Sequence, residues 1–312
     1  IDTDFLARHN IGFASAPGSN ANSVVEYVVA ALLEVGQKAN LNLKDKSIGV
    51  IGVGNIGSKV AEKAAAIGMK VCLNDPPLQR QTGDAKYLPL EKLFDCDFIT
   101  LHTPLTFEGI DRTFYLADER FFKSLKKGCI FFNTSRGAVA DTGALKAMIK
   151  SGKLGAAVLD VWENEPSIDT ELLEMAAIGT PHIAGYSLDG KVAGMIMIYK
   201  AACEYFGLEA GFDTKSFLPE PAVRELKVNP QTGSEQDMLR EAVEKIYNIK
   251  KDDSNLRRIL NMPLGKRCGL FEKLRSDYPV RREFQNTTVV VKDKNSGLAN
   301  KLKGIGFLLS KE

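Results

Sequence analysis

Long apolar runs, paired cysteines and a surplus of one charge are all missing from this sequence. No stretch approaches the ~18 consecutive apolar residues that a membrane-spanning helix needs, and no signal-peptide pattern opens the chain. Forty-one basic side chains stand against 39 acidic ones, for a net charge of +2. That balance supplies no field to draw nucleic acid or an anionic membrane as the main partner. The five cysteines, Cys72, Cys96, Cys129, Cys203 and Cys268, are widely spaced and form no Cys-x-x-Cys. Such a set reads as small buried hydrophobes in a reducing compartment, so the cytoplasm is expected and neither disulfides nor a metal site is. Internal repeats and low-complexity tracts are also missing.

What is present is a regular alternation. Short apolar runs rich in β-branched residues occur at 47–51, 70–74, 97–102, 129–133 and 156–160. Each is nearly continuously apolar, as strands buried on both faces are. Helical or turn-like segments at 56–67, 89–94, 118–125 and 142–151 lie between them. The spacing predicts right-handed βαβ units and a parallel sheet in an α/β fold. Two helices are predicted to bracket this unit, over 22–38 and 188–207. The first carries apolar pairs at 24/25, 28/29 and 32/33, and its Ser23 and Glu26 fit a capping box. The chain, at 312 residues, exceeds one ordinary core. "FDTKSFLPEPAV" reads as a linker to a small α+β domain. In that part, helices are predicted over 235–248 and 296–304, helical stretches within 253–278, and a strand over 287–292.

The densest chemistry lies in "IGVIGVGNIGSKVAEKAAAIGMKVCLND". Gly52, Gly54 and Gly57 form G-x-G-x-x-G between a predicted strand and a predicted helix, with Asn55 and Ile56 inside the loop. The first glycine permits the tight turn, the second lets backbone approach a pyrophosphate, and the third lets helix and strand pack closely. The helix N-terminus offers N–H groups and partial positive charge to the phosphates. Asp75 ends the next strand, where a carboxylate accepts hydrogen bonds from an adenosine ribose and repels an extra phosphate. The pattern predicts a Rossmann-type doubly wound sheet binding NAD rather than NADP.

An NAD enzyme that oxidises an alcohol beside a carboxylate needs a base, something to orient that base, and a cation for the carboxylate. These groups belong beyond the carboxyl ends of the strands. "FFNTSRGAVAD" places Arg136 there, "VLDVWENEP" places Glu165, and "TPHIAGYS" places His182. Each has a plainer reading alone: a surface ion pair, a loop acid, a satisfied histidine. Together, downstream of a dinucleotide loop, they form a candidate site. His9 reads as a surface residue and His102 as part of the cofactor wall. Lys191 and the pair Arg281–Arg282 could contact a phosphate, against the plainer reading of solvated surface charge.

These motifs, in order over roughly residues 10–210, resemble the D-isomer-specific 2-hydroxyacid dehydrogenases. The resemblance implies that Arg136 binds substrate, that Glu165 orients His182 and that His182 is the acid/base. It also implies cofactor contacts at Thr103, Thr134, Ser135, Asp160 and Gly185, and a substrate contact at Tyr186. "SAPGSNANSVVEYVVAALL", "NDPP" and "KIYNIKKDDSNLRRI…FEKLRSDYPVRREF" resemble a branch of the family that acts on a small phosphorylated 2-hydroxy acid. Its C-terminal piece is a dimerisation domain, so a homodimer is implied.

The implied division is 1–21 as the remnant of a flavodoxin-like substrate domain and 22–183 as the NAD-binding domain. Residues 184–212 then form a return helix and 213–312 the dimerisation domain. The chain opens at "IDTDFLARHN", near the end of the expected substrate domain. A preceding segment of roughly 70 residues is therefore expected, about the low end of a domain, and this chain alone is expected to turn over poorly. Two alternatives stay open: a dehydrogenase of the same fold acting on 3-phosphoglycerate, glyoxylate or hydroxypyruvate, or an NAD(H)-sensing binding protein.

Overall fold

A computed structural model describes residues 1–212, 218–228, 233–292 and 296–311. Its larger sheet has six parallel strands: β1 (Ser47–Ile51), β2 (Lys70–Asn74), β3 (Phe98–Leu101), β4 (Cys129–Asn133), β5 (Leu154–Leu159) and β6 (Ile178–Gly179). The strand order is β2-β1-β3-β4-β5-β6. The chain goes one way from β1 to β2 and the other way from β3 onward. The switch point therefore lies between β1 and β3, where open α/β sheets leave a ligand crevice. Every residue of β3 and β4 is buried, which explains why those strands read as unbroken apolar runs.

Twelve α-helices accompany the two sheets among the described residues. They are α1 (Thr3–Arg8), α2 (Ala21–Lys38), α3 (Gly57–Ile67), α4 (Pro76–Thr82), α5 (Glu119–Ser124), α6 (Thr142–Lys150), α7 (Thr170–Met175), α8 (Leu188–Phe206), α9 (Glu235–Ile246), α10 (Ile249–Arg257), α11 (Leu264–Ser276) and α12 (Gly297–Ile305). Local chemistry starts many of them. Asp75, Asp118, Asp141, Asp169 and Ser187 each accept a backbone N–H at a helix N-terminus, starting α4, α5, α6, α7 and α8.

The smaller sheet holds β7 (Glu225–Lys227), β8 (Thr288–Val291) and β9 (Leu308–Lys311), parallel in that order. Its helices share a core with the larger sheet. Val28 and Leu32 of α2, Ile48 of β1, Met238 and Leu239 of α9, Phe284, Val289 of β8 and Leu302 of α12 belong to one apolar cluster. Strands β7 and β9 are too short to show a sequence period. Part of the expected linker, 213–217, lies outside the described residues.

Helix α2 corrects two expectations. It starts at Ala21 after Asn20, so Ser23 and Glu26 do not form a capping box. Both are buried and point to the far end of the chain instead. Ser23 Oγ is 2.6 Å from Ser187 Oγ and donates to Glu283 Oε1 at 2.9 Å. Glu26 accepts from Arg281 Nη1 at 2.7 Å and from the Phe284 backbone N–H at 2.6 Å. Helix α2 is also buried on nearly every face, from Ala21 to Gly36, because α3, α8, α9 and α10 all pack against it. A helix hidden all round needs no single apolar stripe.

The same contacts correct the reading of Arg281–Arg282 as solvated charge. The Arg281 side chain is 6% exposed in its ion pair with Glu26, and Arg282 is 10% exposed against Asp189. Short-range sequence reading cannot find partners 255 and 93 positions away. Burial pushes the Glu26 carboxyl up to about 7, against the pull of Arg281. Replacing Arg281 with alanine leaves a buried carboxylate without its cation, which costs ~3–5 kcal/mol. The expected result is a lower denaturation midpoint for Arg281→Ala, with a larger deficit at pH 8 than at pH 6, where Glu26 can neutralise by protonation.

Candidate active site

The sequence-selected residues collect along one edge of the large sheet. Gly52 follows β1, Asp75 follows β2, and His102 and Thr103 follow β3. Arg136 follows β4, Glu165 lies beyond β5, and His182 follows β6. Because all six strands are parallel, these are all carboxyl ends. Strands β4, β5 and β6 are neighbours, which sets the loops carrying Arg136, Glu165 and His182 side by side.

At the glycine loop, Gly52 has φ +84°, a conformation that favours glycine. A Cβ on Gly57 would fall 1.9 Å from the Gly52 carbonyl oxygen, so the third glycine lets helix meet loop. A Cβ on Gly54 would meet nothing within 4 Å, leaving that backbone open to an incoming group. Asn55 is exposed, and no side chain caps the N-terminus of α3 after Ile56.

Asp75 accepts from Val53 N at 2.8 Å with one oxygen and from Leu78 N at 2.9 Å with the other. It therefore ties the loop to α4 as well as facing the crevice. Gly52, Gly54, Asp75, His102, Thr103 and Pro104 help line a cavity of about 380 Å³. Thr103 Oγ1 is buried without a hydrogen-bond partner. Open backbone N–H groups, an orphaned hydroxyl and a ribose-height carboxylate fit a dinucleotide.

His102 belongs to this wall. Its Nε2 lies 2.9 Å from Thr100 Oγ1 and its Nδ1 lies 3.3 Å from Thr134 Oγ1. Loss of water pushes its pKa down to about 3, which keeps the ring neutral. His9, just after α1, is exposed.

The loop after β4 is built by Asn133, which sequence reading passed over. Its side-chain oxygen accepts from Ser135 N at 3.1 Å and Ser135 Oγ at 2.8 Å, and its amide donates to Arg136 O at 3.0 Å. Thr134 and Ser135 are buried, while Arg136 is exposed and donates to Ser135 O at 2.6 Å. A Cβ on Gly137 would sit 2.0 Å from Trp162 backbone atoms. Glycine there lets the Arg136 loop touch the segment that carries Glu165.

Glu165 and His182 are in direct contact. His182 Nδ1 donates to Glu165 Oε2 at 2.8 Å, and Glu165 Oε1 accepts from Trp162 N at 2.8 Å. This fixes Nδ1 as the protonated nitrogen and leaves Nε2 as the basic one. His182 has φ +56°, unusual for a residue with a side chain.

Asp160 enforces that turn. Its carbonyl oxygen accepts His182 N at 2.7 Å. Its carboxylate accepts Ile183 N at 2.8 Å, Ala184 N at 2.9 Å and Thr180 Oγ1 at 2.6 Å. Tyr27 OH in turn lies 2.8 Å from Thr180 Oγ1. Beyond the turn, Gly185 packs on Asn20, and Tyr186 carries Lys191 Nζ 4.8 Å from its ring centre.

The hydrogen bond to Glu165 is the largest influence on His182 and raises its pKa above the ordinary 6.5, against burial. A base must be neutral to accept a proton, so oxidation falls as pH drops through this raised value. The expected profile has its acid limb above pH 6.5 for oxidation, and reduction fails on the alkaline side. In Glu165→Gln the acid limb moves down, as kcat/KM measured from pH 5 to 10 would show.

A parallel sheet with a dinucleotide crevice and a carboxylate-held imidazole at neighbouring strand ends defines a nicotinamide-dependent 2-hydroxyacid dehydrogenase. Residues 31–184 match the D-isomer specific 2-hydroxyacid dehydrogenase NAD binding domain, and residues 217–306 match a domain of unknown function (DUF3410). Among solved structures, D-lactate dehydrogenase with NAD+ from Lactobacillus jensenii is 26% identical with a TM-score of 0.55, covering 68% of this chain and 74% of its own. Erythronate-4-phosphate dehydrogenase from Hahella chejuensis is 39% identical, over 99% of this chain and 81% of that protein. The Bacteroides fragilis enzyme of the same name is 42% identical, over 93% and 79%. The chain belongs to the erythronate-4-phosphate dehydrogenases, within the D-isomer-specific 2-hydroxyacid dehydrogenase family.

Proposed function

We propose that the protein oxidises the C2 hydroxyl of 4-phospho-D-erythronate to 3-hydroxy-2-oxo-4-phosphobutanoate, on the route to pyridoxal 5′-phosphate. The observation that carries this reading is the Glu165–His182 pair at the carboxyl edge of the sheet, in a chain similar along its length to enzymes named for that substrate. NAD, when bound, supplies the hydride acceptor. The open backbone around Gly52, Gly54, Asn55, Ile56 and Gly57 holds its pyrophosphate, and Asp75 its ribose. Thr103, Thr134, Ser135, Asp160 and Gly185 shape the rest of the crevice.

In this reading His182 Nε2 takes the C2 hydroxyl proton. Glu165 holds the ring in the correct tautomer and favours the imidazolium that forms. Arg136 sits at the neighbouring strand end with a guanidinium fork suited to the substrate carboxylate. Tyr186 offers a phenol on the turn that follows His182.

The domain reading assigns 1–21 to a substrate domain, 22–183 to cofactor binding, 184–212 to the return helix and 213–312 to dimerisation. It draws support from the separate smaller sheet. A homodimer through that C-terminal part follows from the family resemblance. A cytoplasmic location is supported by five unpaired cysteines and by the lack of a membrane-length apolar helix among the described residues.

The test is NADH formation by the intact protein with 4-phospho-D-erythronate, set against 3-phosphoglycerate, glyoxylate and hydroxypyruvate in their matching directions. Highest kcat/KM with another acid would redirect the assignment. His182→Ala should lower kcat by ~10²–10⁴-fold, while NADH fluorescence shows the cofactor still bound.

A further inference from the structure

The reaction proposed above leaves one anionic end of the substrate without a partner. Arg136 suits the carboxylate; of the cations first considered for the phosphate, Arg281 and Arg282 are taken by Glu26 and Asp189, and Lys191 is exposed over the Tyr186 ring. The C-terminal region supplies a candidate that the motifs did not single out. Helix α11 lies within the segment that matches a domain of unknown function. Phe271 of α11 is fully buried in the apolar cluster that contains Trp162, whose backbone N–H holds Glu165. Tyr278, two residues past the end of α11, packs edge-on against Tyr186, with ring centres 5.8 Å apart. Arg281 Nε donates to the Tyr186 carbonyl at 3.0 Å. Arg275 lies in the last turn of α11, four residues after Phe271 and three before Tyr278.

Its bonding differs from that of the other partly buried arginines of this region; Arg258, which also lacks a partner among the described residues, is exposed. Arg257 is paired with Asp253, Arg281 with Glu26 and Arg282 with Asp189, and Arg267 donates to Met262 O and Thr170. The Arg275 guanidinium makes no hydrogen bond or ion pair to any described residue, and its Nε is buried without a partner. A desolvated guanidinium donor left empty is costly unless a ligand fills it. Its charge also reaches the site, opposing protonation of His182.

We propose that Arg275 binds the phosphate of the substrate, which makes this C-terminal domain a source of substrate specificity. A guanidinium grips phosphate through two parallel N–H donors, geometry that lysine cannot reproduce. The proposal rests on the phosphorylated substrate of the preceding section. It accounts for a cation whose charge reaches His182 and whose Nε is buried with no partner among the described residues.

The experiment compares the intact protein with Arg275→Gln and Arg275→Lys. With 4-phospho-D-erythronate, kcat/KM is expected to fall at least ~30-fold in Arg275→Gln, with a smaller loss in Arg275→Lys. Measured on the alkaline plateau, where His182 is neutral in parent and variant alike, the slow turnover of unphosphorylated D-erythronate should change far less, and NADH should still bind. Equal losses on both substrates, or a phosphoerythronate loss under ~3-fold, overturn the assignment. Where Arg275→Gln fails to bind NADH, Arg275→Lys decides by the same two-substrate ratio. Titrating the NADH complex with inorganic phosphate separates this claim from the functional reading. Phosphate binding by the parent and its loss in the variant support Arg275 even if phosphoerythronate is not turned over. Equal phosphate affinity in parent and variant overturns Arg275 even if it is.

Discussion

The candidate site of this molecule depends on one buried carboxylate. Asp160 is 1% exposed and lies at the end of β5. It accepts three hydrogen bonds through its side chain and one through its carbonyl, all from residues 180–184. Those bonds turn the chain after β6 and hold His182 in a left-handed conformation it would not choose alone. Burial raises the Asp160 pKa, and the backbone and hydroxyl donors oppose that rise. With the turn fixed, Nδ1 of His182 reaches Glu165 and Nε2 is left for chemistry.

A second constraint joins the C-terminal part to the same turn. Ser23 of α2, Ser187 at the start of α8 and Glu283 share one hydrogen-bonded cluster. Arg281 and Arg282 on the same segment pair with Glu26 and Asp189. Leu188 N donates to Arg281 O at 2.9 Å. The segment 278–284 is thus a strap across the loop that carries His182, Gly185 and Tyr186. Buried polar groups satisfied by partners this distant in sequence fix one packing arrangement rather than several. The strap gives α11 a defined position beside the site, which a flexible appendage would lack.

Much of the site was legible because its signals are local. A glycine that needs a positive φ, a strand ending in an acid and a helix opening without a cap all lie within a few residues of one another. Gly52 to Asp75 could therefore be read in order. Arg136, Glu165 and His182 were legible from their places after strands. Asn133 was not, because its role is to fold back on the next three residues, and asparagine at a strand end has many plainer uses. Arg275 was equally silent, since nothing in its charged helix marks which arginine lacks a partner. The supposed capping box of Ser23 and Glu26 failed for the same reason in reverse: a correct local pattern was claimed by partners some 160 to 260 positions away.

By itself the sequence determined the βαβ alternation, the dinucleotide loop and the residue types at three strand ends. Periodicity and turn chemistry are short-range properties, and the backbone obeys them wherever packing agrees. Only the tertiary structure decided which nitrogen of His182 is bonded to Glu165, what holds that ring in place, and which arginine of α11 is left unpaired. Those outcomes depend on burial and on which groups meet after the chain has folded. In water, Glu26, Arg281 and Asp160 are unremarkable charges; buried, each needs its particular partner, and those needs position the site.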